Sequence, residues 1–305
     1  MNSSQAQALR SKWHKTQLLL QHGSIKPFVP ETRKYSKITV KSMLEKYGMV
    51  YVKPDRGTFG KGVMKIEQEA GQRFAYQYEE KRLEFKQLDA LITSLSKHMG
   101  KKSYLIQKGI HLLRHQNRYF DIRVMVQRNA KGTWESTGII GRLGHPRKIV
   151  TNYHSGGKPM ALEQLLKSHL SQSKQAELVK KLNELGITIA TQLQKTYPNF
   201  RQIGVDIGLD HRFIPWIIEV NTKPDPYIFN QLTDKSMYRK VISYWRLANE
   251  KKKVIVPSKD KKNNDKNKDK NANKVDHTNK ETKSNKETKS KKETKSKKET
   301  KSKKG

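Results

Sequence analysis

The chain has 305 residues, with 64 Lys+Arg against 28 Asp+Glu and a formal net charge of +36. It contains no cysteine, which excludes disulfides, thiolate metal sites and a cysteine nucleophile. No apolar run approaches the roughly 18 residues of a membrane span, and the start MNSSQAQALRSKWH lacks the apolar core of a signal peptide, so a soluble protein made in the cytoplasm is expected.

The charge is of two kinds. Residues 251–305 carry 22 Lys, no Arg and 8 Asp+Glu, leaving 42 basic and 20 acidic residues in residues 1–250. The first 250 residues are long enough for one substantial domain or two small ones.

In chain order, residues 4–22 read as a helix, with Leu9, Trp13, Leu18 and Leu19 forming an apolar stripe ended by His22 and Gly23. A second helix fits residues 37–47, ended by Gly48. Residues 49–53 (MVYVK) read as a strand, residues 55–62 as a glycine-rich turn, and residues 63–66 as the returning strand. Further strands are expected at residues 74–78, 104–107, 121–128, 134–142, 204–209 and 215–220. Helices fit residues 84–97, 161–168, 172–197 and 234–248. Strands and helices do not alternate regularly, so an antiparallel α+β arrangement is expected.

The tail, residues 251–305, is nearly devoid of apolar residues apart from Val254, Ile255, Val256, Ala272 and Val275. It cannot bury enough surface to offset the entropy of ordering, and disorder is expected. Its hexad repeat is KETKSN at 280–285, then KETKSK at 286–291, 292–297 and 298–303, with no recurring apolar face. Composition leaves open an arm for polyanions or a solvated tail with no specific partner.

Three features carry chemistry. Lys53 ends a strand directly before a loop containing Gly57, Gly60, Lys61 and Gly62. A lysine there supplies a point charge for phosphate, and glycines let backbone N–H groups approach phosphate oxygens. The spacing is neither a P-loop nor a Rossmann fingerprint, and from these residues alone a plain hairpin turn is the preferred reading. Asp206 lies on a strand, and Glu219 and Asn221 share one face of another. If those strands pair, two carboxylates and an amide oxygen meet, a hard-ligand set suited to Mg²⁺. Carboxylates beside Val205, Ile207 and Ile218 also need a cation partner. Asp121 and Arg123 share one face of a third strand, where Arg123 suits phosphate or an ion pair with Asp121.

Together, a strand-end Lys before a glycine-rich hairpin, a DIR strand and Asp followed by Glu-x-Asn resemble the ATP-grasp superfamily. The wording SKW, VYVKPDRGTFGKGV, YFDIRVMVQ, TNYHSGG, GVDIGLD and IIEVNTKPD is similar to the YheC/YheD family of endospore coat-associated proteins, over residues 10–248. The resemblance implies an ATP-grasp fold of two α+β subdomains gripping ATP. It implies ATP binding by Lys12 and Lys53, a closing loop at Gly57, Gly60, Lys61 and Gly62, and an adenine hinge at Gln107, Lys108, Gly109 and Ile110. It places Arg123 near the γ-phosphate as a catalytic group with Lys53, and two Mg²⁺ on Asp206, Glu219 and Asn221, with Glu219 bridging them. Asn152, His154, Gly156 and Gly157 match a loop near the acceptor.

The implied activity is an ADP-forming carboxylate–amine ligase working through an acyl phosphate; its substrates are unidentified, and the basic body is consistent with acidic ones. The alternative is a non-catalytic coat protein on the same scaffold, interacting with other coat proteins. The implied location is the cytoplasm or the spore coat. Nucleic acid as the main partner rests on charge alone, without a stacking platform or binding motif, and ranks below both readings. Superfamily members carry a domain ahead of the first ATP-binding lysine, and about ten residues precede Lys12 here, so a short or truncated member is expected.

Overall fold

The expected N-terminal helix breaks at Ser11. In the computed structural model, which describes residues 3–253, α1 (Ser3–Arg10) and α2 (Lys12–Leu20) flank Ser11, whose backbone is extended at φ −75° and ψ 125°. The Ser11 hydroxyl accepts the His14 N–H as the N-cap of α2, satisfying a donor that would otherwise be orphaned. An unbroken apolar stripe does not reveal such a break.

The first layer holds β1 (Thr32–Lys34), α3 (Lys37–Tyr47), β2 (Met49–Pro54), β3 (Met64–Glu69), β4 (Arg73–Tyr78), β5 (Lys81–Phe85), α4 (Leu88–Met99) and β6 (Tyr104–Lys108). Its sheet runs β1-β6-β2-β3-β4-β5, antiparallel throughout. A capping box between Ser36 and Thr39 starts α3, and Gly48 ends it at φ +66°. Val40 and Leu44 of α3 and Leu91 and Leu95 of α4 bury Val50, Val52, Ile66 and Ile106 on one face. Strand alternation turns Tyr51, Lys53 and Gln107 to the other face, toward a cleft.

The expected helix over 84–97 starts four residues later, because residues 81–85 form β5. This edge strand is exposed over Lys81, Arg82, Leu83 and Glu84, so no burial alternation marks it in the sequence.

The second layer holds β7 (Arg114–His115), β8 (Arg118–Arg128), β9 (Trp134–Leu143), β10 (Lys158–Met160), α5 (Leu162–Leu166), α6 (Gln172–Thr196), β11 (Gln202–Leu209), β12 (Pro215–Asn221) and α7 (Ser236–Lys253). Its sheet runs β10-β9-β8-β11-β12, with β7 paired to the start of β8. Strands β1, β7 and β10 have two or three residues, too few to show a period. Ile122, Val124 and Val126 of β8 and Val205 and Ile207 of β11 pack against α6 through Leu182, Ile189 and Leu193. On the opposite face, Met125 and Ile140 meet Val241 of α7 and Phe229 of the short helical turn that precedes it.

The register places Asp206 opposite Glu219 on one side and Arg123 on the other, and Asp121 opposite Arg142. Because α7 runs to Lys253, the expected boundary at residue 250 falls within its last turn. Of the tail expected to be disordered over residues 251–305, residues 251–253 continue α7, and residues 254–305 lie outside the described residues. Among the described residues, no helix is long and apolar enough to cross a membrane.

At Gly186, α6 sits close enough to β8 that an added Cβ would lie 2.9 Å from Val126 Cγ2 and 3.0 Å from Val124 Cγ1. Gly186→Ala is expected to overpack this contact and cost about 1–3 kcal/mol, read from the midpoint of urea unfolding. Gly23→Ala, with nothing within 4 Å, should leave the midpoint nearly unchanged.

Candidate active site

The polar faces of the two sheets meet at a partly open cleft of about 100 Å³. Lys53 crosses it. Its ammonium donates to Gln107 Oε1 at 2.7 Å and to the Ile218 carbonyl at 3.0 Å. Gln107 is fixed in turn by donating from Nε2 to Thr32 Oγ1 at 2.9 Å. Burial lowers the Lys53 pKa to about 8, with Glu219 opposing the shift and Lys12 adding to it.

The four residues expected at the hinge divide their roles. Gln107 faces Lys53, while Lys108 points its ammonium over the Trp216 ring at 4.5 Å. The Lys108 N–H donates to Glu31 O at 2.8 Å and the Gly109 N–H to Met49 O at 2.9 Å. Ile110 lines the cleft with Leu112, Ile149, Val150 and Ile218.

A clamp built on Asp55 delivers the N-terminal segment to the cleft. Asp55 Oδ1 accepts from Ser11 Oγ at 2.9 Å and from the Trp13 N–H at 2.8 Å, and Asp55 O accepts from the Lys12 N–H at 3.0 Å. Lys12 Nζ then lies 3.2 Å from Glu219 Oε1 and donates to Gly57 O at 3.0 Å. One turn on, Lys15 is buried, and burial lowers its pKa to about 8.

Beneath this lies a buried charge network. Asp206 accepts from Arg123 through Nε and through Nη2 at 3.1 Å, and lies 3.1 Å from Arg142 Nη2. Asn221 Nδ2 donates to Asp206 Oδ2 at 3.1 Å. Arg142 also donates from Nε to Asp121 Oδ1 at 2.8 Å. Burial opposes ionisation of Asp206, but the two guanidinium groups outweigh it and hold its pKa below the usual carboxylate range. The same carboxylates hold Arg142 firmly protonated against its own burial. Asp121 and Arg123 share a face as expected, yet each pairs across strands and not with the other. The cation for Asp206 comes from arginines.

These residues also fit a divalent cation. Oδ2 of Asp206 is fully used, while Oδ1 accepts one hydrogen bond and keeps a lone pair. Glu219 is engaged through Oε1, and the Asn221 amide oxygen makes no hydrogen bond among the described residues. Among those residues no cluster of three or more His, Cys, Asp or Glu is gathered for a metal, so the third protein ligand would be that amide oxygen.

The glycine loop folds onto the segment of residues 149–157. An added Cβ at Gly60, which has φ +70°, would lie 2.9 Å from Asn152 Nδ2 and 3.3 Å from Val150. Ser155 Oγ donates to Phe59 O at 3.3 Å, and the Phe59 ring meets His154 edge-on at 4.3 Å. Gly156 turns at φ +86°, and the Gly157 N–H closes the turn onto Asn152 O at 3.1 Å. Gly57, Gly60 and Lys61 line the cleft, while Gly62 packs against Pro54 and Tyr104.

Sequence reasoning passed over Arg142, Asp55 and Lys15. An arginine inside the apolar run of β9 signals a buried partner, but neither Asp55 nor Lys15 carries a signal without its spatial neighbours.

Residues 5–247 match the family described as YheC/D like ATP-grasp. The chain is 26% identical to the endospore coat-associated protein YheD of Bacillus subtilis (strain 168), over 72% of this chain and 49% of YheD. It is 24% identical to YheC of the same organism, over 71% of this chain and 60% of YheC. It thus spans about half to three fifths of the curated relatives it matches. A solved D-alanine-D-alanine ligase from Coxiella burnetii aligns with TM-score 0.46 and 12% identity, over 83% of this chain and 62% of that one, a likeness that carries no argument about activity. The match across nearly the whole described body, with two sheets facing each other over a lysine-lined cleft, means that the chain belongs to the YheC/D-like ATP-grasp family.

Proposed function

We propose that the chain binds ATP with Mg²⁺ in the cleft and activates a carboxylate for capture by an amine, as an ADP-forming ligase associated with the endospore coat. The observation that carries this reading is the charge of the cleft. Lys12, Lys53, Lys61 and Lys108 line it with Asp121, Asp206 and Glu219, and Lys15, Arg123 and Arg142 lie close to those acids, so basic groups outnumber acidic ones. Mg-complexed ATP is still an anion, so it would offset that positive excess and the desolvation of Lys53.

Lys53 and Lys12 would hold phosphate oxygens. Arg123 spends Nε and Nη2 on Asp206, so Nη1 is the nitrogen that would be left for the transferring phosphoryl group. Mg²⁺, held by Glu219, Asn221 and the remaining lone pair of Asp206, would neutralise phosphate charge. A substrate carboxylate oxygen attacks the γ-phosphorus and the bond to the β-phosphate oxygen breaks, giving acyl phosphate and ADP. An amine nitrogen then attacks the acyl carbon, phosphate leaves and the amine loses a proton. Coat association is carried over from the names of YheD and YheC. A coat scaffold of the same fold would bind nucleotide without releasing ADP.

The cleft volume of about 100 Å³ is below the roughly 300–1,000 Å³ of ligand sites, which agrees with a glycine loop that lifts to admit a nucleotide. It then closes to exclude water from the acyl phosphate.

Calorimetric titration of the intact chain should show ATP binding that requires Mg²⁺ and weakens at least tenfold in Glu219→Gln and in Lys53→Met. Absence of binding by the folded chain overturns the reading. Asp206→Ala is a poor probe, because it strands two buried arginines and should cost about 3–5 kcal/mol of stability.

Proton linkage gives a second test. With a free pKa of about 8, Lys53 is half protonated at pH 8, and polyphosphate would raise that pKa. Binding at pH 8 should take up protons and weaken as pH rises from 7 to 9. Titrations in two buffers of different ionisation enthalpy measure the uptake, which Lys53→Met should reduce.

Gly60→Ala combines a left-handed backbone, costing about 1–2 kcal/mol for a non-glycine, with a clash in the closed loop. ADP release under a saturating carboxylate and amine pair should fall about tenfold. Nucleotide affinity should change less.

A further inference from the structure

On the outer side of the glycine loop lies a second cavity of about 410 Å³, walled by Phe59, Lys61, Glu79, Lys148, Ile149 and His154. It shares Gly60, Lys61, Val63, Ile149 and Val150 with the central cleft, so the two spaces are separated by the thickness of one loop. A group bound outside would stand next to whatever the inner cleft holds.

The lining is cationic. Among the described residues, neither Lys61 nor Lys148 has a carboxylate within ion-pair distance, and Glu79 is the single acid in the wall. The walls are tied together. Gln77 Nε2 donates to Arg147 O at 2.7 Å, joining β4 to the segment that carries Lys148, and Arg147 Nε pairs with Glu80 at 2.9 Å.

The aromatic lip is held at a cost. Phe59 has φ +61° and is 51% exposed, a left-handed backbone that costs a non-glycine residue about 1–2 kcal/mol. Its ring packs edge-on to His154, which is flanked by the exposed Tyr153 ring at 5.8 Å. Backbone strain is thus maintained to hold an apolar surface beside two unpaired ammonium groups. That combination suits a ligand with carboxylates on an otherwise apolar or peptide-like frame.

We infer that this outer cavity binds an acidic peptide segment that flanks the reacting carboxylate of the substrate, with Lys61 and Lys148 on the segment's carboxylates and Phe59 against its chain. The inference rests on the proposed nucleotide site for the meaning of the inner cleft, but the anion site itself stands on the outer cavity alone. A free acidic amino acid offers the same carboxylate chemistry, and the experiment separates the two sources.

The test is lysine labelling of the intact chain with an acetylating reagent, read residue by residue by mass spectrometry. Exposed Lys37 and Lys41 and the tail lysines serve as internal controls. N-acetyl-triglutamate should slow labelling of Lys148 and Lys61 at least fivefold more than it slows the controls, and triglutamine should not. In Lys148→Glu, the protection of Lys61 by triglutamate should disappear while the affinity for Mg²⁺–ADP stays unchanged. Free glutamate protecting as well as triglutamate supports the site and names a small acid as its occupant.

Protection of Lys148 no greater than that of the tail lysines, or equal protection by triglutamine, overturns the inference. Site-specific protection in a chain that binds no Mg²⁺–ADP would keep the anion site and sink the nucleotide reading.

Discussion

Asp206 is the charge around which the second layer is organised. It is nearly fully buried, and its carboxylate is compensated by Arg123 from β8, Arg142 from β9 and Asn221 from β12. Three neighbouring strands therefore share one electrostatic constraint. A one-residue slip of β11 would turn Asp206 into the apolar layer under α6 and send Val205 or Ile207 to the arginines. A buried charge left without partners costs several kcal/mol, so the network specifies the register more than it adds net stability.

The same constraint prepares the cleft. Cross-strand pairing puts Glu219 beside Asp206, and Lys12 reaches Glu219 from a helix that starts where Ser11 is capped and held by Asp55. Lys53 reaches from the first sheet to the Ile218 carbonyl of the second. Basic groups from the N-terminal helix and both sheets thus converge on a few acids. Lys12 lowers the pKa of both Lys15 and Lys53, Lys15 lowers that of Lys53, and burial does the larger part. An anion bound there, as proposed, would relieve that crowding of positive charge.

The high net charge of the chain takes on a different meaning in this light. A few of its 64 basic residues define the cleft, and fewer line the outer cavity. Minority acids give those cations their roles, because each acid decides which lysine or arginine is spent on structure and which remains for a ligand. Arg142 is spent on Asp121 and Asp206, whereas Lys61 and Lys148 keep their charge toward open space.

By itself the sequence determined the long strands, α3 with its Gly48 stop, α6, and the antiparallel α+β class, because these depend on period and local capping. It also marked Lys53, the glycine loop, Arg123, Asp206, Glu219 and Asn221, since a charged residue inside an apolar strand is visible without coordinates. It could not place the break at Ser11, whose cause is Asp55, 44 residues away. Nor could it find β5, which is exposed on nearly every residue, or the partnership of Arg142 with Asp121 and Asp206. Only tertiary structure decided which cation answers which carboxylate, because pairing energy depends on separation and burial across strands distant in sequence.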